Sequence, residues 1–565
     1  MSSPCTPLNH PTVRPPSRKP LDGARLFVQG RRPPVNRSSA FRALFLPVLV
    51  VALAGCGRLP DRADLVFING AESEALDPPL ITAQATSRIG YAVFEGLTAF
   101  DETGTARPGV AERWELSPDG LRYTFHLRKE ACWSNGDPIT AEDFVYSWRR
   151  TAEPATASEY VGQLHYIRGV REFSEGKLKD WTQCGVKALD PATLEVTLEN
   201  PTSFFLDLCA FSTLLPVHRA TVEKHDDWAM NPAHHVGNGA FMLKEWRLFD
   251  RIRLVKNPRY WNAAAVQMQS IDVLPAGRPM TAFNLYATGV ADLMMDKGLA
   301  PTSLMHELKQ RPDFHSAPFL GNYFYRFNCS RKPFSDPRVR LAFSLVVDKK
   351  HLTEFISRAG EVPATSFTPP GAGGGYQPPP SYERDAEKAR RLLAEAGYSG
   401  GQGFPLFSYL YRADSELDQD IAVELQGVFK RELGVNMQLT RQEWTVYLNT
   451  QVALDYDLCR SSWVGDYNDP NTFLDMFITG GGNNRTGWSH PEYDGLIAAA
   501  GREVDQERRF EIFRRAEKIL VTDEAPICPL YYYVGIQFYD PARLGGVVSN
   551  LLDEHPLKAM YWKPR

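Results

Sequence analysis

Residues 460–470 read Arg460-Ser461-Ser462-Trp463-Val464-Gly465-Asp466-Tyr467-Asn468-Asp469-Pro470. A cation, an indole and a carboxylate fall within seven residues, and the run closes on the turn signal Asp469-Pro470. A carboxylate beside an aromatic ring suits an ammonium group, because Coulomb attraction and the ring's quadrupole act together and strengthen where water is excluded. Read alone, the stretch fits a surface salt bridge over a packed indole at least as well. The surrounding chain has to decide between the two.

The chain has 565 residues, 43% hydrophobic and 23% charged, too long for a single hydrophobic core, so two or three domains are expected. Aromatic residues reach 12%, which suits large cores and aromatic-lined surfaces equally. Residues 1–40 are rich in Pro, Arg and Ser and show no periodicity. Arg37 and Arg42 then precede the apolar run Ala43 to Ala54, which is shorter than the roughly 20 residues a spanning helix needs. A basic flank and a short apolar core are the layout of a signal peptide. The run ends in Leu53-Ala54-Gly55-Cys56, a tetrad that resembles a bacterial lipobox, whose cysteine is diacylated and becomes the new N-terminus. Residues 1–55 are therefore expected to be an extension and signal peptide. Cys56 is expected to be the lipid anchor, two acyl chains sufficing for stable attachment.

Eight of the 63 Lys+Arg and one of the 67 Asp+Glu lie in residues 1–55, so residues 56–565 carry 55 basic against 66 acidic groups, net −11. An acidic chain without clustered Lys and Arg is a poor match for nucleic acid. Cys132, Cys184, Cys209, Cys329, Cys459 and Cys528 are scattered singly, with no C-x-x-C and no zinc spacing, and disulfide connectivity cannot be read from them.

Leu65–Ile68 reads as an opening strand, and 123–128 alternates after the turn Pro118-Asp119-Gly120. Residues 193–198 alternate likewise. Thr140-Ala141-Glu142-Asp143 is a capping box that opens a helix over 141–150. Asp336-Pro337 opens a second helix through Val347, and a third runs from Asp385 to Ala396 with Gly397 as its C-cap. Residues 363–380, dominated by Pro and Gly, form a long irregular loop. The irregular alternation of strands and helices gives α/β or α+β with several domains. Of catalytic patterns, Gly397-Tyr398-Ser399-Gly400-Gly401 fits G-x-S-x-G, but it follows a helix end, whereas a hydrolase elbow needs a strand-to-helix turn. His234-His235 point to different sides and belong in a surface loop. No Walker A and no dinucleotide fingerprint occurs, so neither enzyme activity, nor a cofactor, nor a metal is expected.

The opening stretch gains meaning from a resemblance over nearly all of the chain beyond residue 56. Asn69–Pro78, Phe94–Leu97, Pro108–Glu112, Tyr123–Arg128, Trp133–Pro138, Asp143–Trp148 and Thr156–Tyr160 carry it through the first part. Asn238–Phe241, Tyr260–Asn262, Pro333–Arg340, Leu392–Tyr398, Gln442–Trp444 and Tyr531–Val534 follow in the same order. The chain resembles the oligopeptide-binding proteins of ABC peptide importers, in bacterial extracellular solute-binding protein family 5. The resemblance implies an α/β two-lobe periplasmic-binding-protein fold, type II-like, that closes on its ligand as a flytrap. It places lobe one in 56–94, 219–320 and 526–565, an inserted domain of that lobe in 95–218, and lobe two in 321–525.

The function implied is capture of short peptides between the lobes and delivery to the permease and ATPase subunits. The protein is expected to be a monomer at the periplasmic side or cell envelope, held to a membrane through Cys56. Asp466 matches the aspartate that pairs with the peptide's α-ammonium. Thr82, Ala83, Gln84, Val464 and Gly465 match segments that hold the peptide backbone as an added strand. Tyr160, Trp444, Trp463 and Tyr533 match residues lining roomy side-chain pockets, and Arg460 matches one that binds the peptide carboxylate. The chain also departs from the family pattern. Asp418 stands for a carboxylate-binding histidine, Arg326 for a pocket glutamate and Gln451 for a second arginine; Leu320 and Val464 replace a disulfide pair. By this reading Asp418 repels the peptide carboxylate and Arg326 shifts side-chain preference towards acidic residues. Relatives of the fold take nickel, haem, oligosaccharides or murein peptides, and the presence of Asp466 favours a ligand with a free amino group.

Overall fold

Two strands far apart in the chain, Phe314–Phe327 and Ile527–Tyr539, are much longer than the rest and run antiparallel along each other. Ile527–Tyr539 is buried almost throughout and Phe314–Phe327 from Phe319 onward, as strands covered on two faces must be, while Phe314–Pro318 is partly exposed. They form the middle of one sheet in the computed structural model, which describes residues 62–413 and 415–564. The expected signal peptide and Cys56 lie outside the described residues.

From one edge to the other the sheet runs Met437–Gln442, Phe407–Arg412, Leu458–Val464, Phe314–Phe327, Ile527–Tyr539, Leu293–Met295, Leu65–Ile68, Ser270–Leu274, Arg251–Lys256 and Phe241–Arg247. The two long strands belong to both halves. Phe314–Pro318 pairs with Val534–Phe538 on the side of Leu65–Ile68, and Asn322–Arg326 pairs with Ile527–Tyr532 on the other, with a register break between Pro318 and Asn322. Gly321 sits at the break, where an added Cβ would lie 2.8 Å from the Phe319 ring and 2.9 Å from the Tyr533 ring. The halves have separate cores. Phe327, Phe343, Phe407 and Phe429 pack on one side of the crossing. On the other, Leu65, Phe67, Leu254 and Ile271 belong to a core that extends to Trp133 and Trp148. This is a two-lobe α/β fold with a doubled β crossing, and much of the aromatic content is core.

A separate antiparallel sheet of Ala111–Leu116, Arg122–Leu127, Thr193–Thr197 and Val186–Asp190 builds an additional layer. Arg122–Leu127 buries every second residue, the pattern that made it legible as a strand. The helix Ala141–Ala152 opens as its capping box requires, with Asp143 accepting from the Thr140 backbone N–H at 2.7 Å. Pro337–Leu345 and Ala386–Glu395 are likewise capped by Asp336 and Asp385, which accept from Arg338 N and Lys388 N at 2.9 and 2.8 Å. The first of these ends two residues before the expected Val347. All six cysteines among the described residues are free thiols.

Candidate functional site

The strand Leu458–Val464 supplies the first wall of the site. One edge pairs with Phe314–Phe327 all the way to Gly321 opposite Val464, and Gly465 N donates to Leu320 O at 2.7 Å. On the other edge Phe407–Arg412 pairs only with Leu458 and Cys459. Among the described residues, 461–464 therefore have no strand on that side. A cavity of about 280 Å³ opens against their end. Ser462, Trp463, Val464, Gly465 and Asp466 line it on one side, Thr82, Gln84, Ser87 and Tyr91 on another, and Tyr160 and Phe211 on a third. Ile81, Phe100, Leu552 and Glu554 complete the lining, which among the described residues contains no Lys or Arg.

Asp466 is half-buried, accepts from Gln163 Nε2 at 2.8 Å and has its backbone N–H bonded to Thr472 Oγ1 at 3.1 Å. Desolvation, reinforced by the nearby Asp475 carboxylate, pushes its pKa up to about 8, against the opposing pull of the Gln163 bond. Asp475, itself pushed up to about 7 mainly by burial, is held by the Tyr166 hydroxyl at 3.2 Å and by Asn471 Nδ2 at 3.0 Å. Asp469 is satisfied separately, by a two-pronged bond from Arg509 at 2.6 and 2.8 Å. Around Asp466 the additional layer meets the Asp466–Pro470 turn. The Phe204 and Tyr467 rings stack at 4.1 Å, and Asn468 N donates to Asp207 at 3.3 Å.

Seven of the residues picked out in the sequence thus meet in one cavity: Thr82, Gln84, Tyr160, Trp463, Val464, Gly465 and Asp466. Ala83 stands between two of them as the N-cap of the helix Gln84–Val93, its carbonyl taken by Ser87 N at 2.9 Å. A second group forms around Arg460, three residues along the same strand. The Arg460 guanidinium lies 4.8 Å over the Tyr323 ring and 3.5 Å from the Tyr533 hydroxyl. Arg412 lies 5.3 Å over Trp444, which is 42% exposed.

The expected repulsion by Asp418 is not what the fold does. Asp418 is 2% exposed, in the first turn of the helix Glu416–Leu433, where the helix dipole favours a carboxylate. Its Oδ2 lies 3.1 Å from Arg460 Nε and 3.3 Å from Arg412 Nε, an ion pair already made within the protein. Arg326 and Gln451 do not reach the cavity wall. Arg326 is 4% exposed, stacks near Phe324 and Phe477, and donates to Asn483 O at 2.8 Å and Ser461 Oγ at 2.9 Å. Burial lowers its pKa from the usual arginine value. Gln451 is also buried and, with the Tyr447 hydroxyl, holds the Arg460 carbonyl. Through these bonds both side chains brace the strand.

Sequence reasoning missed Gln163, Tyr91, Phe211 and Glu554, none of which lies in a motif. It also missed that His234 meets residues of the preceding turn. Its Nδ1 lies 2.6 Å from Asp227 Oδ1 and its ring stacks on His225 at 3.8 Å, while His235 packs against Phe94 at 5.2 Å. Ser399 opens a short turn, Ser399–Gly401, after the helix Ala386–Glu395, not an elbow between strand and helix.

Residues 105–485 match the bacterial extracellular solute-binding proteins, family 5 (middle region). The chain belongs to this family. The periplasmic oligopeptide-binding protein OppA of Salmonella typhimurium is 37% identical over 544 residues, 93% of this chain and 99% of that protein. Among solved structures, the Escherichia coli murein tripeptide-binding protein MppA superposes with a TM-score of 0.80 at 34% identity, over 89% of this chain and 99% of that one. Haemophilus influenzae OppA in complex with RPPGFSPFR gives a TM-score of 0.78 at 32% identity, over 89% of this chain and all of that one. Family 5 membership agrees with the two-lobe α/β fold.

Proposed function

We propose that this chain is the substrate-binding component of an ABC peptide importer, taking a short peptide between its lobes and delivering it to the permease and ATPase subunits. The observation that carries the reading is the open edge of 461–464 running into a cavity with Trp463 and Asp466 and no cation of its own. An extended peptide adds to such an edge through main-chain hydrogen bonds that ignore side-chain identity. Its α-ammonium then reaches the Asp466 carboxylate, and Tyr160 and Trp463 wall the space for side chains. The relatives bear the same purpose in their names, for oligopeptides in OppA and murein tripeptide in MppA. Arg460 is the residue nearest in kind to a carboxylate binder, but its charge is already met by Asp418, so the amino end dominates recognition. The protein has no catalytic role in this scheme, acts as a monomer in the cell envelope, and is anchored by lipid on Cys56.

The register of the crossing supports one refinement of the domain division: lobe two, from about residue 321, returns to lobe one near Tyr533, not at 526. Thermal shift tests the whole reading, since a ligand of the folded state raises Tm by mass action. Short unmodified peptides raise it and their N-acetylated forms raise it far less. Equal shifts from both forms would remove Asp466 from recognition, and no shift from any peptide would remove peptides.

A further inference from the structure

After the second long strand the chain turns back and brings Glu554 to the same cavity as Asp466, Trp463 and Tyr91. Its main chain is pinned, with N–H donating to Asn550 Oδ1 at 3.2 Å and C=O accepting from Asn550 Nδ2 at 2.6 Å. Its carboxylate has no hydrogen bond or ion pair among the described residues. The nearby cations are turned elsewhere. Arg88 is the charge that most favours ionised Glu554, yet its guanidinium donates to Met295 O at 3.2 Å and Asn69 Oδ1 at 3.4 Å, with Asp296 at 3.8 Å and Asp553 at 4.0 Å. Lys558 is held by Glu95 at 2.7 Å.

Two acidic residues from different parts of the chain thus line one small cavity, and the Tyr91 hydroxyl feels the charge of both. Neither carboxylate has an ion pair among the described residues, and Arg88 acts on Glu554 only at longer range. A single ammonium on Asp466 leaves Glu554 protonated, with no counter-charge beside it in the cavity. A basic side chain on the residue that carries the α-ammonium supplies both charges within the reach of one residue.

We propose that Glu554 is a specificity-determining residue that receives the side-chain cation of a lysine or arginine at the first position of the bound peptide. This rests on the peptide reading above, with the α-ammonium on Asp466. Burial pushes Glu554 up to about 8 with Asp553 adding repulsion and Arg88 opposing it, and Asp466 is raised to about 8 as well. Near neutral pH both therefore hold protons in the empty cavity. A first residue with two cations lets both ionise, so its binding releases one proton more than that of a neutral first residue.

Calorimetry on a lysine walk through trialanine tests this, with norleucine at the same positions as the uncharged match. Lysine in first position exceeds norleucine there by about ten- to a hundredfold, the range for hydrogen bonds to charged groups. At the second and third positions the ratio stays near one. Glu554→Gln brings the first-position ratio to near one as well. Titrations at pH 7 in two buffers of different ionisation heat read the additional proton for the lysine peptide. Absence of the first-position preference, its appearance at another position, its survival in Glu554→Gln, or equal proton release overturns the assignment. The wild-type series decides even where the variant folds poorly. Norleucine peptides that bind without a lysine preference remove only this inference; failure of every peptide to bind removes the peptide reading and this one with it.

Discussion

The surroundings of Asp466 and of Arg460 stand six residues apart on one strand and turn, yet they treat charge in opposite ways. At Asp466 the carboxylates accumulate: Asp475 lies close enough to raise it, and Glu554 lines the same cavity. The described lining offers no cation in return. At Arg460 the charges are matched inside the protein, Asp418 lying within 3.3 Å of both Arg460 and Arg412. A buried pair already made contributes little net energy to a newcomer, whereas a buried charge without a partner is a standing penalty that a ligand relieves. In the proposed peptide reading, the amino end of the ligand is therefore where binding energy is concentrated, and the carboxyl end meets a guanidinium that must be shared.

The largest expected effect breaks the comparison at its acidic end. Asp466→Asn lowers the affinity for a tripeptide by about 3–5 kcal/mol, the usual cost of losing one partner of a buried charge pair. N-acetylation of the peptide does the same to the wild-type protein, while C-terminal amidation costs far less; calorimetry reads all three. Equal penalties at the two peptide ends would show that Arg460 is as open to ligand as Asp466.

Next in size is Asp418→Asn, which leaves Arg460 without its carboxylate inside the protein. Stability falls by about 2–3 kcal/mol in urea titration, and C-terminal amidation of the peptide becomes costly, since Arg460 now looks to the ligand for its counter-charge. An unchanged amidation penalty would mean that Asp418 does not compete for that arginine.

Arg326→Met removes bonds to Asn483 and Ser461 from a buried position, costing about 1–3 kcal/mol of stability. The ratio of affinities for peptides with acidic and basic side chains does not move. A shifted ratio would return Arg326 to the ligand site.

The smallest effect is a pH difference in the ligand-free protein. The pKa of Asp466 is about 8 when folded and about 3.9 in an unfolded chain, so the folded state binds more protons between those values. Stability from this group is intact below about pH 4 and declines as pH rises to about 8. Asp466→Asn carries no such penalty. Its Tm equals that of wild type near pH 4 and exceeds it by about 2 °C at pH 8, a modest figure because the group is partly exposed. A difference that is constant with pH would assign the effect to packing.

The local elements were legible because their signals are local. Thr140–Asp143, Asp336-Pro337 and Asp385 specify helix starts through bonds spanning two or three residues, and Tyr123–Leu127 declares its buried face by period two. Asp466, Trp463 and the Thr82–Gln84 segment were recognisable because they sit in runs shared with a family. The partners of Asp418 and Arg326 were hidden for a common reason. A substituted charge in a list of site positions looks like altered specificity, but the other charges that meet it come from other elements, and a linear reading does not bring them together. Gln163 and Glu554 were invisible for the same reason, since Glu554 gains a role only when the chain returns from Ile527–Tyr539.

By itself, then, the amino-acid sequence determined several helix starts and strands, the family, and a carboxylate beside an indole at a turn, all written in neighbouring residues or in their order. Only the tertiary structure decided which charges are spent on one another and which remain for a ligand. Pairing depends on distance and desolvation, and at Arg460, Asp418, Asp466 and Glu554 both are set by segments brought together from opposite parts of the chain.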